Sequence, residues 1–148
     1  MNKGKYIIIS FLLFSFSAFA QDAVETNWDV LQAINFIPKY NAELKAKVLF
    51  PKFTDQILDM ENKTVEVEGY VIPVDPTGAI VALSANPYAA CYFCGKAGPA
   101  SVMTIKLKTV KKKYMTDAYK KFKGTLRLNY DDIHEFYYIL ENAEQVKN

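Results

Sequence analysis

Apolar and polar residues alternate most cleanly between Thr64 and Val74. Val65, Val67, Gly69 and Val71 share one parity, and Glu66, Glu68, Tyr70 and Ile72 the other. That period of two predicts a half-buried strand. Gly69 inside it predicts a bulge or a sharp bend. Asp75-Pro76-Thr77-Gly78 has turn residues, so Ala79–Ser84 is expected to return as the second strand of a hairpin. Alternation resumes over Ser101–Lys108, with Met103, Ile105 and Leu107 against Thr104, Lys106 and Lys108. Leu126 and Leu128 mark a short strand over Thr125–Asn129, and Phe136–Ala143 reads as the last strand. Lys47–Phe50 suggests another short strand, closed by Pro51, within a mixed stretch that begins at Asn35.

Two segments carry helical spacing instead. In Phe53–Met60, Phe53, Ile57 and Met60 fall on one face. In Lys111–Phe122, Tyr114, Met115, Ala118, Tyr119 and Phe122 recur at about 3.6 residues, and Gly124 is expected to end that helix. Gln21–Thr26 reads as a loose tail, Trp28–Leu31 as the start of order, and Tyr130–His134 as a turn or short helix. About five strands with short helices between them, one strand bent by an internal glycine, predict a mainly β fold. The expected architecture is a small OB-like Greek-key β-barrel.

The first twenty residues change the picture of where this fold works. Lys3 and Lys5 precede the apolar run Tyr6–Phe16, and Ala18-Phe19-Ala20 stands before Gln21. These are the three parts of a cleavable secretory signal peptide, and the run is too short to span a bilayer. The expected organisation is a signal peptide over 1–20, an N-terminal tail and helical lead-in over 21–45, and the barrel domain over 46–148. The whole chain has eighteen Lys/Arg and sixteen Asp/Glu. Cleavage at Ala20/Gln21 removes two of the lysines and leaves a mature net charge of zero. That argues against a nucleic-acid partner. Ten Tyr, ten Phe and one Trp add to the β leaning. The mature protein is expected to be periplasmic or secreted, with no membrane span.

The specialised chemistry lies in Ala90–Pro99, which holds both cysteines, Cys91 and Cys94. Three uses stand open. One is a structural disulfide, favoured by the oxidising route but closing a very short loop. The second is a metal site for a divalent ion such as zinc, using Cys91 and Cys94. Zinc usually takes four Cys or His ligands, and only His134 is there to add, with Asp131 and Asp132 beside it. The third is thiol–disulfide exchange, which wants a helix starting at the first cysteine; Gly95, Gly98 and Pro99 argue against one. Haem attachment fails because residue 95 is Gly. Tyr92 and Phe93 would shape the surface of a binding loop. No catalytic residue or bound organic cofactor is indicated.

The run Phe50-Pro51-x-Phe53, then Ile57 and Asn62-Lys63-x-Val65-x-Val67-x-Gly69-Tyr70-Val71-Ile72-Pro73, resembles a family of secreted bacterial proteins catalogued as a domain of unknown function. Cys91-x-x-Cys94-Gly95-x-Ala97-Gly98-Pro99 is similar to the variant in Bacteroidetes-type members, as are Leu126–Asn129, Asp131–Ile133 and Tyr138–Leu140. The resemblance covers roughly residues 46 to 144. It implies an OB-like barrel in the periplasm, and relatives beside transport components imply a part in metal or envelope homeostasis. It carries over no catalytic residue. The functional expectation is a periplasmic, non-enzymatic binding or accessory module. It would engage a metal ion, or an envelope protein or transport component, through the Cys91–Cys94 loop. The alternatives are a thiol–disulfide redox protein and a domain whose disulfide is purely structural.

Overall fold

A computed structural model describes residues 22–110 and 113–147. The signal peptide expected over 1–20, its cleavage point at Gln21 and the first two residues of the Lys111–Phe122 segment lie outside the described residues. Strand β1 is Val24–Glu25, helix α1 Trp28–Gln32, β2 Asn35–Asn41, β3 Ala46–Lys52 and helix α2 Asp55–Leu58. The remaining strands are β4 Thr64–Pro73, β5 Ile80–Ser84, β6 Val102–Leu107, β7 Ala118–Leu128 and β8 Tyr138–Gln145.

Strand β4 organises the sheet. Its Thr64–Val71 portion pairs antiparallel with β7, and its Tyr70–Pro73 end pairs antiparallel with β5. The order β4-β5-β6-β8-β7 returns to β4, so five strands close a barrel. β6 and β8 run parallel, joined through β7, which is the Greek-key connection. The fold is therefore the mainly β, OB-like barrel that the alternation predicts. Val65, Val67, Val71, Met103 and Ile105 are buried in its interior, as expected, together with Phe122, Leu126, Tyr138 and Leu140.

Of the bulge or bend expected at Gly69, the bulge is absent, while β4 does pass from its pairing with β7 to its pairing with β5 just after this residue. Pairing with β7 runs unbroken through Gly69↔Lys120, so no bulge is present there. A Cβ on Gly69 would lie 2.6 Å from the Ser84 carbonyl oxygen and 3.1 Å from Trp28 Nε1. Close approach, not an extra residue, demands the glycine. The bulge sits in β8. Lys123↔Glu144 and Thr125↔Glu141 frame an additional residue at Asn142, whose φ is 51°.

The helix expected over Lys111–Phe122 is not formed among its described residues. From Ala118 onward the chain is strand β7, and Gly124 lies inside that strand. Two flanking partners, β4 and β8, supply its backbone hydrogen bonds, and this tertiary context overrides local spacing. Gln21–Thr26 is likewise no loose tail in its described part: Val24 and Glu25 pair parallel with Val65 and Glu66. The mixed stretch from Asn35 forms an antiparallel hairpin, Asn35–Asn41 against Ala46–Lys52.

The barrel is plugged from upstream. Leu31 of α1 and Ile57 of α2 are fully buried in the core, with Phe53 and Met60 beside them. Asn27 caps α1 by accepting from the Val30 amide at 3.0 Å. Trp28 Nε1 donates to the Glu68 carbonyl at 2.8 Å, and the Tyr138 hydroxyl donates to the Leu31 carbonyl. No helix among the described residues is long and apolar enough to cross a membrane.

Candidate functional site

The outer face of β4, β5 and β6 carries Ile72, Ala82 and Val102. The sequence placed Ile72 on the polar parity of its strand, and it does point away from the barrel interior. It is nonetheless buried, because the loop from β5 to β6 folds back over it. Ile72, Ala82, Cys91 and Val102 form a second core cluster, with Phe136 packed against it. The loop is pinned at its neck by the Ala85 amide donating to the Ser101 carbonyl at 3.0 Å. Its far side is held by the Tyr88 amide donating to Asp117 Oδ1 at 2.7 Å.

Within this loop Cys91 is 0% exposed, whereas Cys94 is exposed, and both are thiols. Short 3-10 turns, Tyr88–Ala90 and Tyr92–Cys94, flank and follow Cys91. Gly95 closes the second turn in the left-handed region, φ 69°, a conformation that glycine adopts freely. Both sulfurs donate to one oxygen: the Tyr88 carbonyl lies 3.0 Å from Cys91 Sγ and 3.0 Å from Cys94 Sγ. Tyr92 and Phe93, the two residues between the cysteines, form a triangle of edge-on ring contacts with Phe136. The centroids are 6.1 Å apart for Tyr92–Phe93, 6.1 Å for Tyr92–Phe136 and 5.7 Å for Phe93–Phe136.

Phe136 belongs to the β7–β8 loop, which is shaped by a residue that sequence reading passed over. Asn129 is 4% exposed. Its Nδ2 donates to the carbonyls of Asp132 at 2.7 Å and Glu135 at 3.0 Å. Its Oδ1 accepts from the amides of Asp131 at 3.3 Å and Asp132 at 3.0 Å. Glu135 then meets Arg127 at 2.5 Å and Lys106 at 2.9 Å, and Arg127 also reaches Glu141 at 3.1 Å. The hydrogen-bonded Arg127 guanidinium, with Lys106 beside it, holds the Glu135 carboxyl below the usual range for glutamate.

Between this loop and the β2–β3 hairpin lies a cleft of about 440 Å³. Its floor is the outer face of β5 and β6, at Ile80, Thr104 and Lys106, and the β4–β5 turn contributes Val74. The hairpin side presents Leu44 and Leu49, which are 54% and 49% exposed. A lone two-stranded hairpin is marginal in water, so its attachments set its position. The Tyr137 hydroxyl donates to the Leu49 carbonyl at 2.9 Å, and Phe36 stacks obliquely on Tyr137 at 5.9 Å. Phe50 is buried at the base of the hairpin.

The structure separates the residues suggested as one metal set. His134 is exposed and meets Glu43 at the hairpin tip, Nε2 to Oε1 3.2 Å. Among the described residues, no three His, Cys, Asp or Glu side chains come together to hold an ion. Tyr92 sits where the cysteine loop meets the cleft, lining it alongside Pro99.

No family model matches the sequence, and no curated protein matches it. Among solved structures the chain is similar to a DUF3299 family protein from Pseudomonas aeruginosa PAO1. The TM-score is 0.50 at 14% identity, over 86% of this chain and 99% of that one. At that identity the likeness is one of fold and assigns no residue a role.

Proposed function

We propose that this chain is a non-enzymatic binding module of the bacterial envelope, which holds an apolar segment of a partner protein in the cleft between hairpin and barrel. The observation that carries the reading is the position of the cleft. It lies on the outer face of the barrel's second and third strands, between the turn after the first strand and the loop joining the last two. Small barrels of this topology take chain-like ligands, oligonucleotides and oligosaccharides, on that face. Leu44, Leu49, Val74 and Ile80 expose apolar surface around it, and a clustered apolar patch of this kind marks an interaction site. Asp131, Asp132 and Glu135 line it against Lys106 and His134, and Lys106 is already paired with Glu135. That balance disfavours a phosphate backbone and suits a segment that pairs apolar side chains with a basic one. The envelope placement rests on the secretory leader read from the sequence.

Thiol–disulfide exchange is the weaker reading. Activation at a helix start needs an accessible cysteine there. Here the cysteine that opens the short turn, Cys91, is buried, and the exposed one, Cys94, closes it.

The test is a titration of isotope-labelled mature domain, Gln21–Asn148, followed by amide chemical shifts. Three probes are compared: a peptide alternating Leu and Lys, one of equal length alternating Leu and Glu, and a short oligouridylate. The Leu/Lys peptide is expected to move the resonances of Ile80, Thr104 and Tyr137, and Leu49→Asp to abolish this. Shifts of those residues by the oligouridylate, or by neither peptide at millimolar concentration, overturn the reading.

A further inference from the structure

We propose that Cys91 and Cys94 form a two-coordinate thiolate site for copper(I), independent of the cleft. Both sulfurs lie 3.0 Å from the same Tyr88 carbonyl oxygen, so the folded loop already turns the two thiols toward one point. The loop does not depend on an ion for that arrangement. The neck bond between Ala85 and Ser101, the Tyr88–Asp117 anchor and the left-handed Gly95 hold it.

The number of donors selects the metal. Zinc in a closed protein site takes four ligands. His134 is committed to Glu43, and no set of three or more His, Cys, Asp or Glu ligands forms among the described residues. Two thiolates alone suit a soft monovalent ion that is content with few ligands, and thiolate sulfur selects copper(I) over harder ions. The surroundings agree. Cys91 is buried against Ile72, Ala82, Val102 and Phe136, apolar groups that offer no further ligand and keep water out. Two bare thiolates would carry two negative charges at an apolar wall, whereas the copper(I) complex carries one, which lowers the cost of burial. Cys94, exposed, gives the ion its entry, and Cys91 completes the site from inside.

The step balances without electron transfer. Two S–H bonds break, two S–Cu bonds form, two protons leave to solvent, and copper remains in its +1 state. Affinity therefore falls as pH falls, because protons compete for both sulfurs.

The test uses reduced mature domain under anaerobic conditions. It is titrated with copper(I) supplied as its acetonitrile complex in the presence of a chromophoric copper(I) chelator. The expected result is one copper(I) retained per chain, with two protons released per ion and an X-ray absorption spectrum showing sulfur neighbours only. Zinc offered in the same way is expected to be lost to a comparable chelator. Cys94→Ser is expected to lose copper retention while staying folded, since Cys94 is exposed, and Cys91→Ser, at the buried position, is expected to lose it as well. Retention of copper(I) by Cys94→Ser, failure of the wild type to hold it, or a nitrogen- or oxygen-rich metal shell overturns the proposal. Each of these outcomes leaves the cleft reading standing, because the peptide titration reads different residues.

Discussion

Replacing Asn129 with Ala should loosen one wall of the cleft while leaving the barrel closed. The side chain makes four hydrogen bonds, two from Nδ2 and two to Oδ1, all within the Asn129–Glu135 stretch. Each such bond contributes on the order of 0.5–1.5 kcal/mol net. The 3.3 Å contact to the Asp131 amide is the weakest of the four, and the freed carbonyls regain water once the loop opens. About 2–3 kcal/mol is the resulting loss. At roughly 3–4 °C per kcal/mol for a domain of this size, the melting temperature should fall by about 6–12 °C. The Asn129 amide still donates to the Tyr137 carbonyl at 2.9 Å, so the β7–β8 ladder should persist. Urea denaturation measures the stability, and amide hydrogen exchange locates the loss. Exchange should accelerate in residues 131–136 and stay slow in β4 and β6. Affinity for the Leu/Lys peptide should weaken in parallel. A loss below about 0.5 kcal/mol, the range of an ordinary surface change, would refute the account of Asn129. So would a larger loss spread evenly over the barrel, because the reasoning requires a local effect.

Two further outcomes follow from the packing and the charges. Val67→Ala, at a fully interior position of β4, should cost about 1–3 kcal/mol, whereas Glu68→Gln on the opposite parity should stay within about 0.5 kcal/mol; equal effects in denaturant melts would reject the register. Glu135 has a lowered pKa when folded, caused first by its hydrogen bond to Arg127 and then by Lys106. Its contribution to stability is therefore complete above the unfolded glutamate pKa and is lost as pH falls through the folded one. Stability profiles should show Glu135→Gln lacking that acid-side component while differing little in slope near neutrality; an unchanged acid slope would discount the ion network.

Much of the barrel was legible because the inward positions of β4 and β6, Val65, Val67 and Val71 and then Met103 and Ile105, alternate with Glu66, Glu68, Thr104 and Lys106. β7 was hidden because two of its inward-parity positions are Lys120, set opposite Gly69, and Gly124, set opposite Val65. Without those two, the period of two vanishes, and the remaining aromatics fall at helical spacing. Of the β2–β3 hairpin only Lys47–Phe50 was legible as strand; β2, and the extension of β3 through Pro51 to Lys52, were hidden for another reason: both faces of the hairpin are largely exposed, so nothing forces alternation. Cys91 and Cys94 stood out by residue type alone. Asn129 and Phe136 did not, since a buried asparagine and a loop aromatic look ordinary until the fold supplies their partners. Ile72 shows the common cause. Period two tells which residues enter the barrel, but both parities of β4, β5 and β6 are used here. The second parity becomes core at Ile72, Ala82 and Val102 under the cysteine loop, and becomes cleft floor at Ile80, Thr104 and Lys106 under the hairpin. Those two outcomes depend on which loop folds back over which end of the same face. That is decided by long-range contacts such as Tyr92 with Phe136 and Tyr137 with Leu49, between segments that no local pattern links. The candidate sites of this protein therefore lie where loops cover the outer surface of a barrel whose inner surface alone was written in the alternation.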